Sequence, residues 1–373
     1  MAEGKFADPI GLPLNRVDGK LKVTGRATYA FEYATQGGAA YGVIVPAAIA
    51  KGRVVAVDVR DAERAPGVLL VLTKDNAPPQ SPWGPVDLPD RFARAEPALD
   101  SDEVRYFGFP VAFVVAETFE QATAAAALVR VRYESLPGQF NLGAPGSRAE
   151  DPGHISDGAP ADSSVGDFET AFATAPVKIE AIYTTPYQNQ APMEPHATMA
   201  VWEGQMLTVH TSAQLTTSPQ EGLARTLNIP KENVRVITRY VGGGFGNKLP
   251  FYVDATLASI GARFLRRPVK VAMTRSQLFH MTTHRTASEQ VLRLGADRDG
   301  RLTAYGQDAL VHCARFDKYV EPVCGAARML YAAPNRLTRH RLAKLDLPRS
   351  DSMRAPGDAV SYTHLTLPTI LRV

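Results

Sequence analysis

Val241-Gly242-Gly243-Gly244-Phe245-Gly246-Asn247-Lys248 is the stretch on which the reading of this chain turns. It follows the β-branched run Val234-Arg235-Val236-Ile237-Thr238. It precedes Asp254-Ala255-Thr256-Leu257-Ala258-Ser259-Ile260-Gly261-Ala262, which reads as a helix with small residues for close packing. Glycines reach backbone angles closed to residues with a Cβ, and they let bare N–H groups approach a ligand. Strand, glycine loop and helix therefore read as a cradle. It is not the dinucleotide fingerprint, because Asn247 stands where the last glycine of G-x-G-x-x-G belongs. Nor is it a Walker loop, since Leu249 rather than Ser or Thr follows Lys248. On the motif alone, a plain glycine-rich bend stays open.

The totals narrow the class. A chain of 373 residues can hold two or three domains, and 45% hydrophobic with 21% charged residues is ordinary for a globular protein. A net charge of +3 without a basic stripe gives no case for nucleic acid. Cys313 and Cys324 cannot make a disulfide framework or a four-thiolate cluster; they are free thiols in a reducing compartment or one exposed pair, and buried free thiols are the expectation. No apolar run reaches the roughly 18 residues that a membrane span needs. Met1 to Pro9 lacks the apolar core of a signal peptide. The expected location is cytoplasmic, or periplasmic by export with a signal-bearing partner subunit.

Along the chain, Ala27–Phe31, Gly42–Val45 and Arg53–Val59 read as strands, and Asp61–Ala65 as a short helix stopped by Pro66-Gly67. Val68–Leu72 reads as a continuous apolar strand covered on both faces. Residues 77–100 form a proline-rich loop, either functional, a contact surface or a solvated insertion. Pro110–Ala116 is a buried strand, Thr118 caps a helix running to Leu128, and Val129–Glu134 alternates as a half-exposed strand. This strand–helix–strand unit closes an α/β domain. From Pro137 to about Ala173 the composition becomes that of a linker or wrapped segment. A second domain opens with strands at Val177–Tyr183, Ala197–Trp202 and Met206–His210. A helix follows from Thr217, read with Ser218 as its cap and Pro219 at its first position.

Gly242-Gly243-Gly244-Phe245-Gly246-Asn247-Lys248 resembles the G-G-G-F-G-x-K loop in the large subunit of the xanthine oxidase family of molybdenum hydroxylases. Gln214, in Thr211-Ser212-Ala213-Gln214, precedes Phe245 by the separation found between the family's active-site glutamine and its loop phenylalanine. Gln190-Ala191-Pro192-Met193-Glu194-Pro195-His196 resembles the motif before that glutamine, and Met353-Arg354-Ala355-Pro356-Gly357 the arginine segment beside the metal. The start at Arg16-Val17-Asp18-Gly19 is similar to the family's hammerhead. Within the family, the molybdenum subunits of bacterial periplasmic aldehyde dehydrogenases share the Lys-Leu ending of the loop and the Arg-Ala-Pro-Gly segment.

The resemblance implies an α/β (α+β) architecture: an α/β hammerhead domain over 14–136, a linker over 137–173, and the first part of a molybdenum cofactor-binding domain over 174–360. It implies a molybdopterin cytosine dinucleotide whose metal takes no protein ligand, with Gln214, Gly243, Gly244, Phe245, Gly246 and Arg354 around it. Gln214 would bond the metal's oxygen ligands, and Phe245 and Gly246 would present N–H groups to its oxo group. Electrons would leave through [2Fe-2S] and FAD centres on partner subunits. Lys248 is read as a fold-stabilising cation. Leu249, in the substrate pocket, occupies the position of the purine-oxidising enzymes' glutamate, and Pro322 falls near their substrate-facing arginine. A site without those charges should reject purines and accept apolar or aromatic aldehydes. An N-heterocycle of the isoquinoline type stays open.

His280 and His284 lack the glutamate of H-E-x-x-H and are read as a structural pair, while Glu194 and His196 are read as shaping a turn. The resemblance stops after Val360. Residues 361–373 are expected to be a foreign tail, leaving this chain without the family's general-base glutamate and without a catalytic residue of its own. On that expectation the 373-residue chain alone is inactive. Two rivals differ in class: a subunit-contact scaffold without catalysis, and a carbon monoxide dehydrogenase-like subunit, for which neither cysteine sits in a matching motif.

Overall fold

The computed structural model describes residues 11–144 and 149–357, so the expected tail lies outside the described residues. A seven-stranded mixed sheet organises the molecule, in the order Val234–Ile237, Met206–Thr211, Ala197–Glu203, Val269–Ala272, Ala40–Pro46, Pro110–Ala116 and Val68–Leu72. Three of its strands come from the N-terminal third of the chain and four from beyond residue 190. They meet where Ala40–Pro46 runs parallel to Val269–Ala272, pairing Ala40 with Val269. Pro110–Ala116 is buried at every position, as its unbroken apolar run predicts. The helix Val253–Leu265 packs on this sheet, where the spacing of Ala255, Ala258, Gly261 and Ala262 lets it approach closely. A Cβ on Gly261 would come within 3.1 Å of Phe113.

A second sheet, of six strands, contains Val177–Thr185, Ser288–Ala296, Leu302–Ala314 and Asn335–Leu345, the last pairing with Ala149–Glu150 and Ser163–Val165. The expected linker is thus a wrapped segment whose described residues add strands to this sheet. Gly52–Asp58, Glu103–Val104 and Arg130–Ser135 make a third, small sheet. The expected strand–helix–strand unit is therefore divided: Pro110–Ala116 and Arg130–Ser135 lie in different sheets. The helix between them, Phe119–Ala126, has the expected Thr118 cap, with a reciprocal bond to Gln121.

Three local expectations are corrected. Ala27–Phe31 is not a strand; Ala30–Glu32 forms a 3-10 turn closed by Glu32 on the Tyr29 N–H. Val68–Leu72 is an edge strand, and Leu69 remains 37% exposed, so its apolar run does not mean two covered faces. The helix Thr217–Leu227 starts one residue before the supposed capping serine, from Thr216 without a side-chain cap.

The proline-rich loop is no solvated insertion. Ala93, Ala95, Ala98 and Leu99 are buried. Arg94 pairs with Asp317 at 2.5 Å and Glu96 with Arg349 at 2.6 Å, both across more than two hundred residues. The loop is a contact surface that ties the first sheet to the second.

Candidate active site

Met206–Thr211 and Val234–Ile237 are parallel neighbours, with His210 opposite Ile237. The chain leaves both strands at their carboxyl ends, the usual place for a ligand crevice in such sheets. Thr238 joins the two exits, its hydroxyl donating to Ala213 O at 3.1 Å and accepting from Ala213 N–H at 3.3 Å. Gln214 follows one exit and the glycine loop follows the other. Phe245 sits at φ +55° and Gly246 at +90°, two successive left-handed residues that fold the loop back.

The loop closes on Gln214. Its Oε1 accepts from Gly246 N–H at 3.0 Å and Lys248 N–H at 3.3 Å, and its own N–H donates to Lys248 O at 2.6 Å. The Gly246 N–H, expected to face the metal's oxo group, here donates to Gln214 and caps the turn. What Gln214 can offer a ligand is the Nε2 end of its exposed amide. No described residue accepts from Phe245 N–H, and Phe245 is 43% exposed. Gly244 stands against Gln214, where a Cβ would lie 2.3 Å from Oε1, and Gly243 stands against Pro192 and the Phe245 ring.

The arginine segment meets the loop directly. Arg354 N–H donates to Phe245 O at 2.9 Å, and its side chain is exposed. A Cβ on Gly246 would lie 2.4 Å from Ser352 O, so this glycine is required by the neighbouring chain. Gln214, Gly243, Gly244, Phe245, Gly246 and Arg354 are therefore brought together. Leu249 is placed less specifically: it is half-buried and its N–H closes the turn on Gly246 O at 3.3 Å. Pro322 lies beside the arginine segment, its carbonyl 2.4 Å from where a Cβ on Gly357 would be.

Four residues hold these pieces: Gln190 and Glu194, which belong to the motif before Gln214, and Arg285 and Glu321, which no local pattern marks. Gln190 Nε2 donates to Ser352 O at 3.1 Å, while its Oε1 accepts from Asn247 Nδ2 at 3.0 Å, joining the arginine segment to the loop. Arg285 Nη2 reaches the carbonyls of Met353, Arg354 and Ala355 at 3.1, 2.7 and 3.0 Å. Glu321 takes the Gly357 N–H at 2.7 Å. Glu194 pairs with Lys248 at 2.9 Å. Burial pulls the Lys248 pKa down, and the Glu194 carboxylate acts against that shift. Lys248 is thus the expected structural cation. His196 is buried and held neutral, its pKa pushed down to about 3 by burial and by the Lys248 charge.

The expected histidine pair is split. His280 meets Phe107 edge-on, whereas His284 Nε2 lies 3.0 Å from His312 Nε2. Among the described residues no group of three His, Cys, Asp or Glu side chains could hold a metal ion. The exposed lining around the loop is an amide, a backbone N–H, an aromatic ring and a guanidinium. This donor set suits a group that brings its own metal ligands and presents oxygens to the protein. Among the described residues no helix is long and apolar enough to cross a membrane.

Comparison with known proteins agrees. The family model "Molybdopterin cofactor-binding domain" matches residues 149–365, and "Aldehyde oxidase and xanthine dehydrogenase, a/b hammerhead domain" matches 24–137. The chain is 44% identical over 351 residues to the aldehyde oxidoreductase molybdenum-binding subunit PaoC of Escherichia coli K12, covering 94% of this chain and 46% of that protein. It is 30% identical over 355 residues to a xanthine dehydrogenase molybdenum-binding subunit of Escherichia coli O157:H7, covering 92% and 47%. The chain thus spans about half the length of these relatives. Among solved structures, quinoline 2-oxidoreductase from Pseudomonas putida 86 superposes with a TM-score of 0.81 at 25% identity, covering 94% of this chain and 46% of that one. The aldehyde oxidoreductase of Desulfovibrio gigas shares the fold, with a TM-score of 0.76 at 24% identity, covering 93% and 40%. The glycine loop, its glutamine and its arginine segment thus sit in a chain that belongs to the molybdopterin cofactor-binding family of aldehyde oxidases and xanthine dehydrogenases.

Proposed function

We propose that this chain is part of the molybdenum-binding subunit of an enzyme that oxidises apolar or aromatic aldehydes to carboxylic acids with water as oxygen source. The observation that carries the reading is the convergence of Gln214, the loop 242–246 and Arg354 at the carboxyl ends of two parallel strands. The 44% identity to an aldehyde oxidoreductase subunit supports the aldehyde over the purine. Leu249, which brings no charge, supports the same choice.

When bound, the molybdenum–pterin group supplies the two-electron redox chemistry. The chain's residues bind and orient around it. Gln214 Nε2 and Phe245 N–H donate toward its oxygens, and Arg354 offers a cation to negative charge developing on the substrate oxygen. Gly243, Gly244 and Gly246 keep the loop low enough for that approach. We assign the cofactor as the cytosine dinucleotide form. Electrons pass to an iron–sulfur subunit and an FAD subunit, in the cytoplasm or in the periplasm after joint export. The structural likeness to a quinoline oxidoreductase supports an N-heterocycle as second substrate class.

The test is purification of the enzyme containing this chain, with metal analysis, release of CMP on acid hydrolysis, and turnover of benzaldehyde, isoquinoline and xanthine. Molybdenum with benzaldehyde preferred is expected. Absence of molybdenum, or preference for xanthine, refutes the reading.

A further inference from the structure

Gly242 and Lys248, the two ends of the glycine loop, are both held by a single residue, Glu194. Its backbone N–H donates to Gly242 O at 3.0 Å, and its Oε2 accepts from Gly242 N–H at 2.7 Å, a two-point clasp on one residue. The same Oε2 accepts from Lys248 Nζ at 2.9 Å, and the Glu194 carbonyl accepts from Nζ at 2.9 Å. The Lys248 side chain is fully buried and Glu194 is 14% exposed, so the bonds are little weakened by water. Room for this is built in. A Cβ on Gly242 would lie 2.5 Å from Glu194 Cβ, so only glycine lets the carboxylate reach the loop's first N–H.

We propose that Glu194 is a positioning residue of the active site: by clasping residues 242 and 248 it fixes the loop that carries Phe245 and closes on Gln214, the two residues that would face the cofactor. The assignment rests on the proposed function for what the loop does, but the clasp itself is a property of the polypeptide. Neither carboxylate oxygen needs to touch substrate or cofactor. Lys248 carries the effect to Gln214, because its N–H and carbonyl are the groups that Gln214 bonds.

The experiment is Glu194→Gln in the assembled enzyme, with amide hydrogen exchange of the peptide spanning 242–248 and with kcat and KM per bound molybdenum. Loss of a charge-assisted bond predicts exchange faster by about tenfold or more in that peptide. Peptides from the strand Pro110–Ala116 should be unchanged. With it, kcat per molybdenum falls about tenfold while the KM for aldehyde stays within about twofold. A residue that merely supports the fold would lower the yield of loaded enzyme and leave kcat per molybdenum intact. Should Glu194→Gln strand the buried lysine and fail to fold, Glu194→Gln with Lys248→Met removes both charges and carries the same measurements. Faster exchange without loss of kcat, loss of kcat without faster exchange, or no change in either overturns the assignment. If the unaltered enzyme holds no molybdenum, the proposed function falls, and the exchange rates alone decide whether the clasp exists.

Discussion

Two glycines two positions apart should respond differently to the same added methyl group. At Gly246 φ is +90°, and a Cβ would lie 2.4 Å from Ser352 O and 3.2 Å from Met353 Cα, all backbone. A residue with a Cβ in the left-handed region costs roughly 1–2 kcal/mol. The segment at 352–354 must also retreat, which breaks the Gln190 bond to Ser352 O and the Arg354 N–H bond to Phe245 O, at about 1 kcal/mol each. Gly246→Ala should therefore lose about 3–4 kcal/mol by denaturant unfolding. At Gly244 the added Cβ meets only the end of Gln214, with Oε1 at 2.3 Å and Cδ at 2.5 Å, and that exposed side chain can swing away. Gly244→Ala should lose the two bonds that Gln214 Oε1 accepts, about 2 kcal/mol and less than at Gly246, yet it displaces the amide and should lower turnover as far as Gln214→Ala does. Gly246→Ala within about 0.5 kcal/mol of the parent, or Gly244→Ala the more damaging to stability, would refute the argument.

Arg285→Lys keeps the charge but loses the nitrogen that reaches three carbonyls, so about 1–2 kcal/mol should be lost, with faster amide exchange confined to residues 350–357; unchanged exchange there would count against the brace. His340 Nδ1 donates to Ala161 O at 2.8 Å and its Nε2 accepts from Cys324 N–H at 3.1 Å, which fixes a neutral ring. Burial pushes its pKa down to about 4. The unfolded chain takes up this proton near pH 6.5 and the fold does not, so the contribution is complete above that pH and is lost as pH falls toward about 4. Measured as the stability difference between the parent and His340→Gln, on the order of 3 kcal/mol should disappear across that window; a flat difference would contradict it. Cys313 and Cys324 are fully buried, and burial raises both pKa values, that of Cys313 to about 12. A thiol reagent should find neither in the native protein and both after unfolding. Labelling of the native chain would show the burial to be wrong.

Much of the fold was legible wherever the information is local. Pro110–Ala116, Ala197–Glu203 and Val253–Leu265 carry their own apolar periods, and Thr118 with Gln121 is a capping box in four residues. Long-range pairing was not legible. Nothing in Ala40–Pro46 announces that it lies parallel to Val269–Ala272, and this pairing merges two sequence regions into one sheet. Val68–Leu72 misleads for the related reason that an apolar run reports composition and not which neighbours arrive. The candidate site divides the same way. Gln214, Phe245 and Arg354 were found through spacing and motif, because the chemistry selects those residue types. Arg285 and Glu321 were not, and Gln190 was marked only as part of a motif, because a single side chain that braces a remote backbone leaves no period.

Asn247 shows how these two kinds of information meet. In the sequence it is the residue that spoils a dinucleotide fingerprint. In the structure it is fully buried, with Nδ2 about 3 Å from Gln190 Oε1, Thr282 Oγ1 and Thr283 O, while Tyr252 donates to its carbonyl at 2.6 Å. In the dinucleotide fingerprint a glycine there lets the helix that follows pack close against its strand. The asparagine instead anchors the loop's last turn downward to three separate chain segments. With that end fixed, and Glu194 holding both Gly242 and Lys248, the part left exposed is the turn at Phe245, whose own N–H meets no described acceptor. The loop is thus stiff where it joins the fold and open where it would meet a ligand. That is the arrangement a protein needs when the metal chemistry belongs to the cofactor and its own task is to hold hydrogen-bond donors in fixed positions.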